Sequence, residues 1–163
     1  MMLLLLTLVV LALIACFTVI LLFGAPYLPT LRPQVAAAIK LADLRSGQTL
    51  LELGCGDGTV LVAAARTGAT VVGYELNPIL ALVCWLRTRR YQGRVTVICG
   101  DFFRADWPKA DVIFTFLLPK YMKKLDTKIV QYKHKPVKLI SFAFTVPGRK
   151  PSAELDGVYG YQY

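Results

Sequence analysis

The stretch Leu51-Glu52-Leu53-Gly54-Cys55-Gly56-Asp57-Gly58 decides the fold. Residues 49–53 form an apolar run that reads as a short buried strand. A helical pattern over 59–66 follows, and Gly68 stops it. Between strand and helix, three glycines at alternate positions let the backbone pass close beneath a ligand without side-chain obstruction. The spacing is not GxGxxG. Nor is it a phosphate-binding loop, because no Lys-Ser/Thr pair follows.

The same alternation continues outward from this turn. A Val-rich strand over 70–75 ends in Glu75, and Asn77-Pro78 opens a helix over 78–91 that Gly93 breaks. A third strand over 94–99 ends in Gly100-Asp101-Phe102, and a fourth covers 111–117. The helix that Pro119 begins has Leu118, Met122, Leu125 and Ile129 at helical spacing, with its lysines largely on other faces. A fifth strand over 137–146 and a last one over 158–163 complete the pattern. Upstream, 30–44 reads as a helix that Thr30 can cap. Strands alternating with helices predict an α/β fold, a mostly parallel doubly wound sheet with helices on both faces. In such sheets ligands bind beyond the carboxyl ends of the strands. The candidate functional positions are therefore the glycine turn, Glu75, Asp101 with Phe102, and the segment from Thr115 to Pro119. A carboxylate at Glu75 can accept from both hydroxyls of a ribose. Asp101 can accept from an exocyclic amine, and Phe102 can cover a purine ring.

All 19 basic and 10 acidic side chains of the 163 residues lie from Arg32 onward, so the net charge of +9 belongs to that part alone. The mean hydropathy of +0.54 arises largely before it. Composition excludes a disordered chain, a disulfide-stapled miniprotein and a polytopic channel. Residues 1–23 carry no charge, and as a helix they would reach ~34 Å, enough for a hydrocarbon core of about 30 Å. A cleaved signal peptide is the rival reading. No basic residue precedes the run, and it is longer than a usual signal core. The expected organisation is a membrane anchor at 1–23, a Pro-rich link at 24–32 and a domain at 33–163. Arg32, Lys40 and Arg45 on the carboxyl side predict a single-pass membrane protein with a cytoplasmic domain. The four cysteines show no CxxC spacing, so neither a metal site nor a disulfide framework is expected.

The segment from Leu51 to Gly58, Glu75, and Gly100-Asp101-Phe102 together resemble the motifs of class I S-adenosylmethionine-dependent methyltransferases, over about residues 47–146. The resemblance implies a Rossmann-like fold with S-adenosylmethionine as cofactor. Gly54, Cys55, Gly56, Asp57 and Gly58 would hold its methionine portion. Glu52 would orient the sulfonium end, Glu75 with neighbouring Asn77 would take the ribose, and Asp101 with Phe102 the adenine. Thr115 would face the reacting end. A closer likeness lies in Pro26-Tyr27-Leu28-Pro29-Thr30, Asp101-Phe102-Phe103, Phe116-Leu117-Leu118-Pro119, and the run from Ser141 to Gly148. It is to small membrane-anchored protein-lysine methyltransferases that act on the adenine-nucleotide carrier and the ATP synthase c-subunit. Against the general class, the stretch from Gly148 to Gly157 leaves little room for a helix, so a shortened C-terminal part of the sheet is expected.

A lysine nucleophile must be neutral, and an apolar pocket favours the neutral amine. Phe116, Leu117, Phe142 and Phe144 can line such a pocket, and Tyr27 or Thr30 can position the amine; core packing is the plain alternative for each aromatic. No side-chain pair reads as a general base. Seven lysines, at 120, 123, 124, 128, 133, 135 and 138, make the stretch from Lys120 to Lys138 basic. It is either a solvated face or a contact for anionic lipid headgroups. Nucleic acid is not an expected partner, since few aromatics are interleaved for stacking. The leading expectation is methylation of a lysine on a membrane-associated protein. The alternatives are a lipid, quinone or other small hydrophobic substrate, or a cofactor-binding module without turnover.

Overall fold

The computed structural model describes residues 2–23 and 28–163, with side chains of the first helix described at 2–11 and 14. Its elements are α1 (Met2–Phe23), α2 (Arg32–Ala42), β1 (Thr49–Leu53), α3 (Thr59–Ala65), β2 (Thr70–Glu75), α4 (Pro78–Thr88), β3 (Val95–Cys99), β4 (Val112–Thr115), α5 (Pro119–Val130), β5 (Lys138–Phe142), β6 (Ala153–Leu155) and β7 (Val158–Gln162). The seven strands form one sheet in the order β3-β2-β1-β4-β5-β7-β6. The first five are parallel, and β7 runs antiparallel to both β5 and β6.

Strand residues alternate between two cores, as a pleat requires. Leu50, Val71, Val112, Phe114 and Ile140 face α2, α3 and α4. Leu51, Leu53, Ile113 and Leu139 face α5 and the segment 102–110. On that second face no helix joins β3 to β4. Trp107 and Tyr132 fill the place instead. Trp107 Nε1 donates to Phe102 O, while the Tyr132 hydroxyl donates to Pro108 O and accepts from Ala110 N.

The sheet is complete at seven strands, which corrects the expectation of a shortened one. The shortening falls on the β5–β6 connection, which has no helix, and the hairpin β6–β7 still fills the last two positions. β6 escapes periodicity analysis because it is three residues long and none of them is buried. The predicted fifth strand ends at Phe142 rather than 146, because Ala143 turns the chain with φ +67°. Thr30 does not cap α2: Leu31 occupies that position without a side-chain hydrogen bond. Among the residues whose side chains are described, which in α1 are 2–11 and 14 alone, no helix is long and apolar enough to cross a membrane. The expected link at 24–32 lies partly outside the described residues.

Met122, Leu125 and Ile129 of α5 are fully buried against the second core. Leu125→Ala removes that packing without room to collapse and should cost ~2–5 kcal/mol. Urea unfolding of the detergent-solubilised chain measures this, and an unshifted midpoint would contradict the packing described.

Candidate functional site

The carboxyl ends of the parallel strands bring the predicted residues together. β1 ends at Leu53, and Gly54 N and Cys55 N both donate to Tyr74 O on β2, at 2.9 and 2.8 Å. The chain then climbs through Gly54, Gly56 and Gly58, all with positive φ, and Gly58 N donates back to Cys55 O at 2.8 Å. At Gly58 the demand is for space as well as conformation. A Cβ there would lie 2.6 Å from Cys84 Sγ.

Glu75 clasps this loop. Its Oε2 accepts from Gly56 N and its Oε1 from Asn77 N, both at 2.8 Å. Each oxygen keeps a further lone pair. Asn77 serves the scaffold, since its Oδ1 accepts from Ile79 N and Leu80 N and caps α4. Asp57 accepts from Thr59 N at 3.1 Å and pairs with Arg87, so its side chain holds the start of α3 to α4. Cys55 turns its thiol inward, 3.7 Å from Cys84 Sγ. That contact and burial push the Cys55 thiol well up, so it is protonated. Cys55 therefore offers a ligand no side-chain group, and its N–H is spent on Tyr74 O.

Glu52 is buried beneath the loop, and its Oε2 has no hydrogen-bond partner. Burial first, then the nearby Cys84, Asp57 and Glu75, hold its carboxyl well above the usual range. At the end of β3, Asp101 Oδ1 accepts from Phe103 N at 2.8 Å, and Arg104 lies 3.5 Å from its Oδ2. Phe102 packs on Phe103 with ring centroids 4.4 Å apart. Thr115 is fully buried and its hydroxyl donates to Leu53 O at 3.4 Å, which ties β4 to β1.

Beyond β4 and β5 stands an aromatic cluster. The Phe116 ring lies 4.4 Å from Phe142 and 6.4 Å from Phe144. A tight turn brings the last two together: Phe144 N donates to Phe142 O across Ala143 at 2.9 Å. With φ +67° on a residue bearing Cβ, this is the rare, strained form of a three-residue turn. The buried Ser141 hydroxyl locks it by donating to Phe144 O at 2.6 Å. Sequence reasoning missed Ser141 and Ala143, although both sit in the quoted run from Ser141 to Gly148. Thr30 lies half-buried just before α2, and Tyr27 lies outside the described residues.

Of the seven lysines in 120–138, Lys128, Lys135 and Lys138 donate to backbone carbonyls. Lys120 and Lys124 lie over the rings of Tyr121 and Phe103. A depression of ≈ 290 Å³ lined by Arg45, Asp111 and Lys138 sits at the opposite, amino end of the strands and contains none of these site residues. Among the described residues no cluster of His, Cys, Asp and Glu is arranged to hold a metal ion.

Two predictions follow the carboxylates. Glu75→Ala strips two backbone donors of their acceptor and should weaken ligand binding at the loop by about 1–3 kcal/mol, read by calorimetry; Glu75→Gln, which retains an acceptor oxygen, should lose less. Glu52 has its folded-state pKa above its unfolded value. Above about pH 4 the unfolded chain therefore releases this proton first, and stability declines with pH until the folded-state pKa is passed. Glu52→Gln should match the parent at low pH and gain on it as pH rises. Unfolding midpoints measured across pH test this, and parallel profiles would contradict it.

This geometry has close counterparts. The ANTKMT methyltransferase domain model matches residues 52–153. The human ATP synthase C-subunit lysine N-methyltransferase is 28% identical over 142 residues, which cover 83% of this chain and 60% of that protein. The protein-lysine N-methyltransferase of Saccharolobus islandicus is 28% identical over 130 residues, 77% of this chain and 81% of its own. The crystal structure of an RNA methyltransferase from Salinibacter ruber with S-adenosyl-L-homocysteine superimposes with a TM-score of 0.78 at 31% identity, covering 83% of this chain and 93% of that one. The sheet order, the glycine loop clasped by Glu75 and these matches have one meaning: the chain belongs to the ANTKMT methyltransferase-domain family of class I S-adenosylmethionine-dependent methyltransferases.

Proposed function

We propose that the chain transfers a methyl group from S-adenosylmethionine to a lysine amine of a membrane-associated protein. The observation that carries this is the glycine loop fastened to Glu75 beside an aromatic cluster at the same strand ends. The residues fit the cofactor. A Cβ at Gly54 or Gly100 would meet no atom within 4 Å, so the backbone there is open to close approach. Glu52 Oε2 is an orphaned buried acceptor directly under the loop. When bound, S-adenosylmethionine supplies a methyl group already activated on a sulfonium. The chain's residues then have to align and desolvate the nucleophile. The loop backbone from Gly54 to Gly58 would hold the methionine portion and Glu52 would orient its sulfonium end, the free lone pairs of Glu75 would take the ribose, and Asp101 with Phe102 the adenine. Phe116, Phe142 and Phe144 would surround the amine with apolar surface and favour its neutral, nucleophilic form. Thr30, and Tyr27 near it in sequence, would position it. No general base is needed on this route, because the amine reacts as the free base.

The relatives named as lysine methyltransferases support the choice of acceptor. This chain spans 60% of the length of the human one. Membrane attachment belongs to the proposal. The helix Met2–Phe23 has no charged residue, and the flanking Arg32, Lys40 and Arg45 favour a single-pass protein with its domain in the cytoplasm. Exposed Lys120, Lys123 and Lys124 on α5 would meet anionic headgroups.

The test is transfer of label from tritiated S-adenosylmethionine to membranes of the source cells by the full chain. Label is expected in protein, as methyl-lysine after hydrolysis. It should fall at least tenfold, about 1.4 kcal/mol, with Glu75→Ala. Label confined to lipid or to RNA would overturn the lysine acceptor. Binding without transfer to any fraction would leave a cofactor-binding module.

A further inference from the structure

Helix α4 is built inside out. Its inner side is narrow: Ala81, Cys84 and Thr88, at the spacing of one helical face, are buried, and Cys84 and Thr88 lie against Gly58 of the loop. Its large apolar side chains point outward. Ile79, Leu82, Val83, Trp85 and Leu86 are all exposed, Leu82 by 56% and Trp85 by 51%, and Leu76 continues the patch just before the helix. A surface helix of a soluble domain has the reverse arrangement. A contiguous apolar patch of this kind marks an interaction surface.

The chemistry around the patch identifies what covers it. From Leu76 to Gly100 there is no acidic residue, while Arg87, Arg89, Arg90 and Arg94 cluster at the far end of the helix. Their stems can lie along apolar surface with the guanidinium groups at a polar boundary. Trp85, just before them, is the side chain best suited to a boundary between hydrocarbon and headgroup. Arg87 is taken by Asp57, and a second copy docking through the same face would bring in Arg89, Arg90 and Arg94 again with no acid between Leu76 and Gly100 to meet them. The patch and the point where the chain enters the domain share one face of the sheet, α4 over its β3–β2 edge and α2 over its β5–β7–β6 edge. α2 and α4 both lie on the first core's face, and both begin at the carboxyl ends of the strands. Leu28 and Leu31, which lead into α2 there, are exposed by 57% and 63%.

We propose that the outer face of α4 is a peripheral membrane-contact surface. Leu82, Trp85 and Leu86 enter the headgroup-acyl boundary of a bilayer, and Arg89, Arg90 and Arg94 meet anionic phosphates. The domain would then lie against the bilayer on this face, not merely hang from a tether. The inference does not rest on the transfer chemistry, and S-adenosylmethionine binding measured by calorimetry reports on that reading separately.

The experiment uses the full chain reconstituted in phosphatidylcholine-phosphatidylserine vesicles whose acyl chains carry bromine near the headgroup. The protein has two tryptophans, and Trp107 is buried. Emission from the parent chain should be quenched. Quenching should be lost in Trp85→Phe and in the double variant L82E/L86E, whose circular dichroism should match the parent. It should weaken in phosphatidylcholine alone and at high salt. Equal quenching in parent and Trp85→Phe, or none in either, would overturn the proposal. So would an unquenched Trp85 in a chain whose copies cross-link through α4, which would assign the face to a second copy.

Discussion

The Glu75 carboxylate is the joint on which the site depends. One oxygen holds Gly56 N of the loop after β1, and the other holds Asn77 N at the start of α4. Two crossovers that are neighbours only in space are thereby fixed by one side chain. Charge-assisted bonds to backbone donors are about twice as strong as neutral ones, which suits a loop with three left-handed glycines. Asn77 extends the joint by capping α4, and Asp57 with Arg87 closes it from the other side.

Close packing beneath the loop gives the cysteines their role. A Cβ at Gly73 would lie 2.7 Å from Leu61 Cδ1 and 2.9 Å from Cys55 Sγ. The space between β2, α3 and α4 thus admits glycine on the strand and small soft groups around it. Cys55 and Cys84 behave here as compact apolar side chains. The small inner face of α4 has the same origin. Because Cys84 and Thr88 approach the loop closely, its bulky residues are left to the outside.

Much of this was legible in the residues. The alternation of Leu50 with Leu51 and of Phe114 with Ile113 marks β1 and β4 as strands buried on both faces; the glycine loop follows β1, Glu75 ends β2 and Asp101 follows β3. Strand ends were less legible. Phe142 to Val146 is apolar enough to prolong β5, and only the left-handed turn at Ala143, which no propensity favours, ends it. β6 is visible only through its pairing with β7. Among the site residues, spacing located Cys55, Asn77 and Thr115 correctly at strand ends, but it could not tell which way they point. Cys55 and Thr115 turn into the core, and Asn77 caps a helix. Ser141 carried no signal by itself, since a buried serine after two apolar residues reads as part of the strand.

The position of β1 in the middle of the sheet governs how the chain acquires its structure. β1 pairs with β2 across one crossover, yet its other edge waits for β4, and Thr49 N meets Asp111 across 62 residues of sequence. Long-range parallel pairing forms late, because loop closure must precede any contact that rewards it. During synthesis the amino-terminal half therefore has a central strand with one edge unpaired until β4 is released. That open edge is an exposure that strengthening the finished core does not shorten.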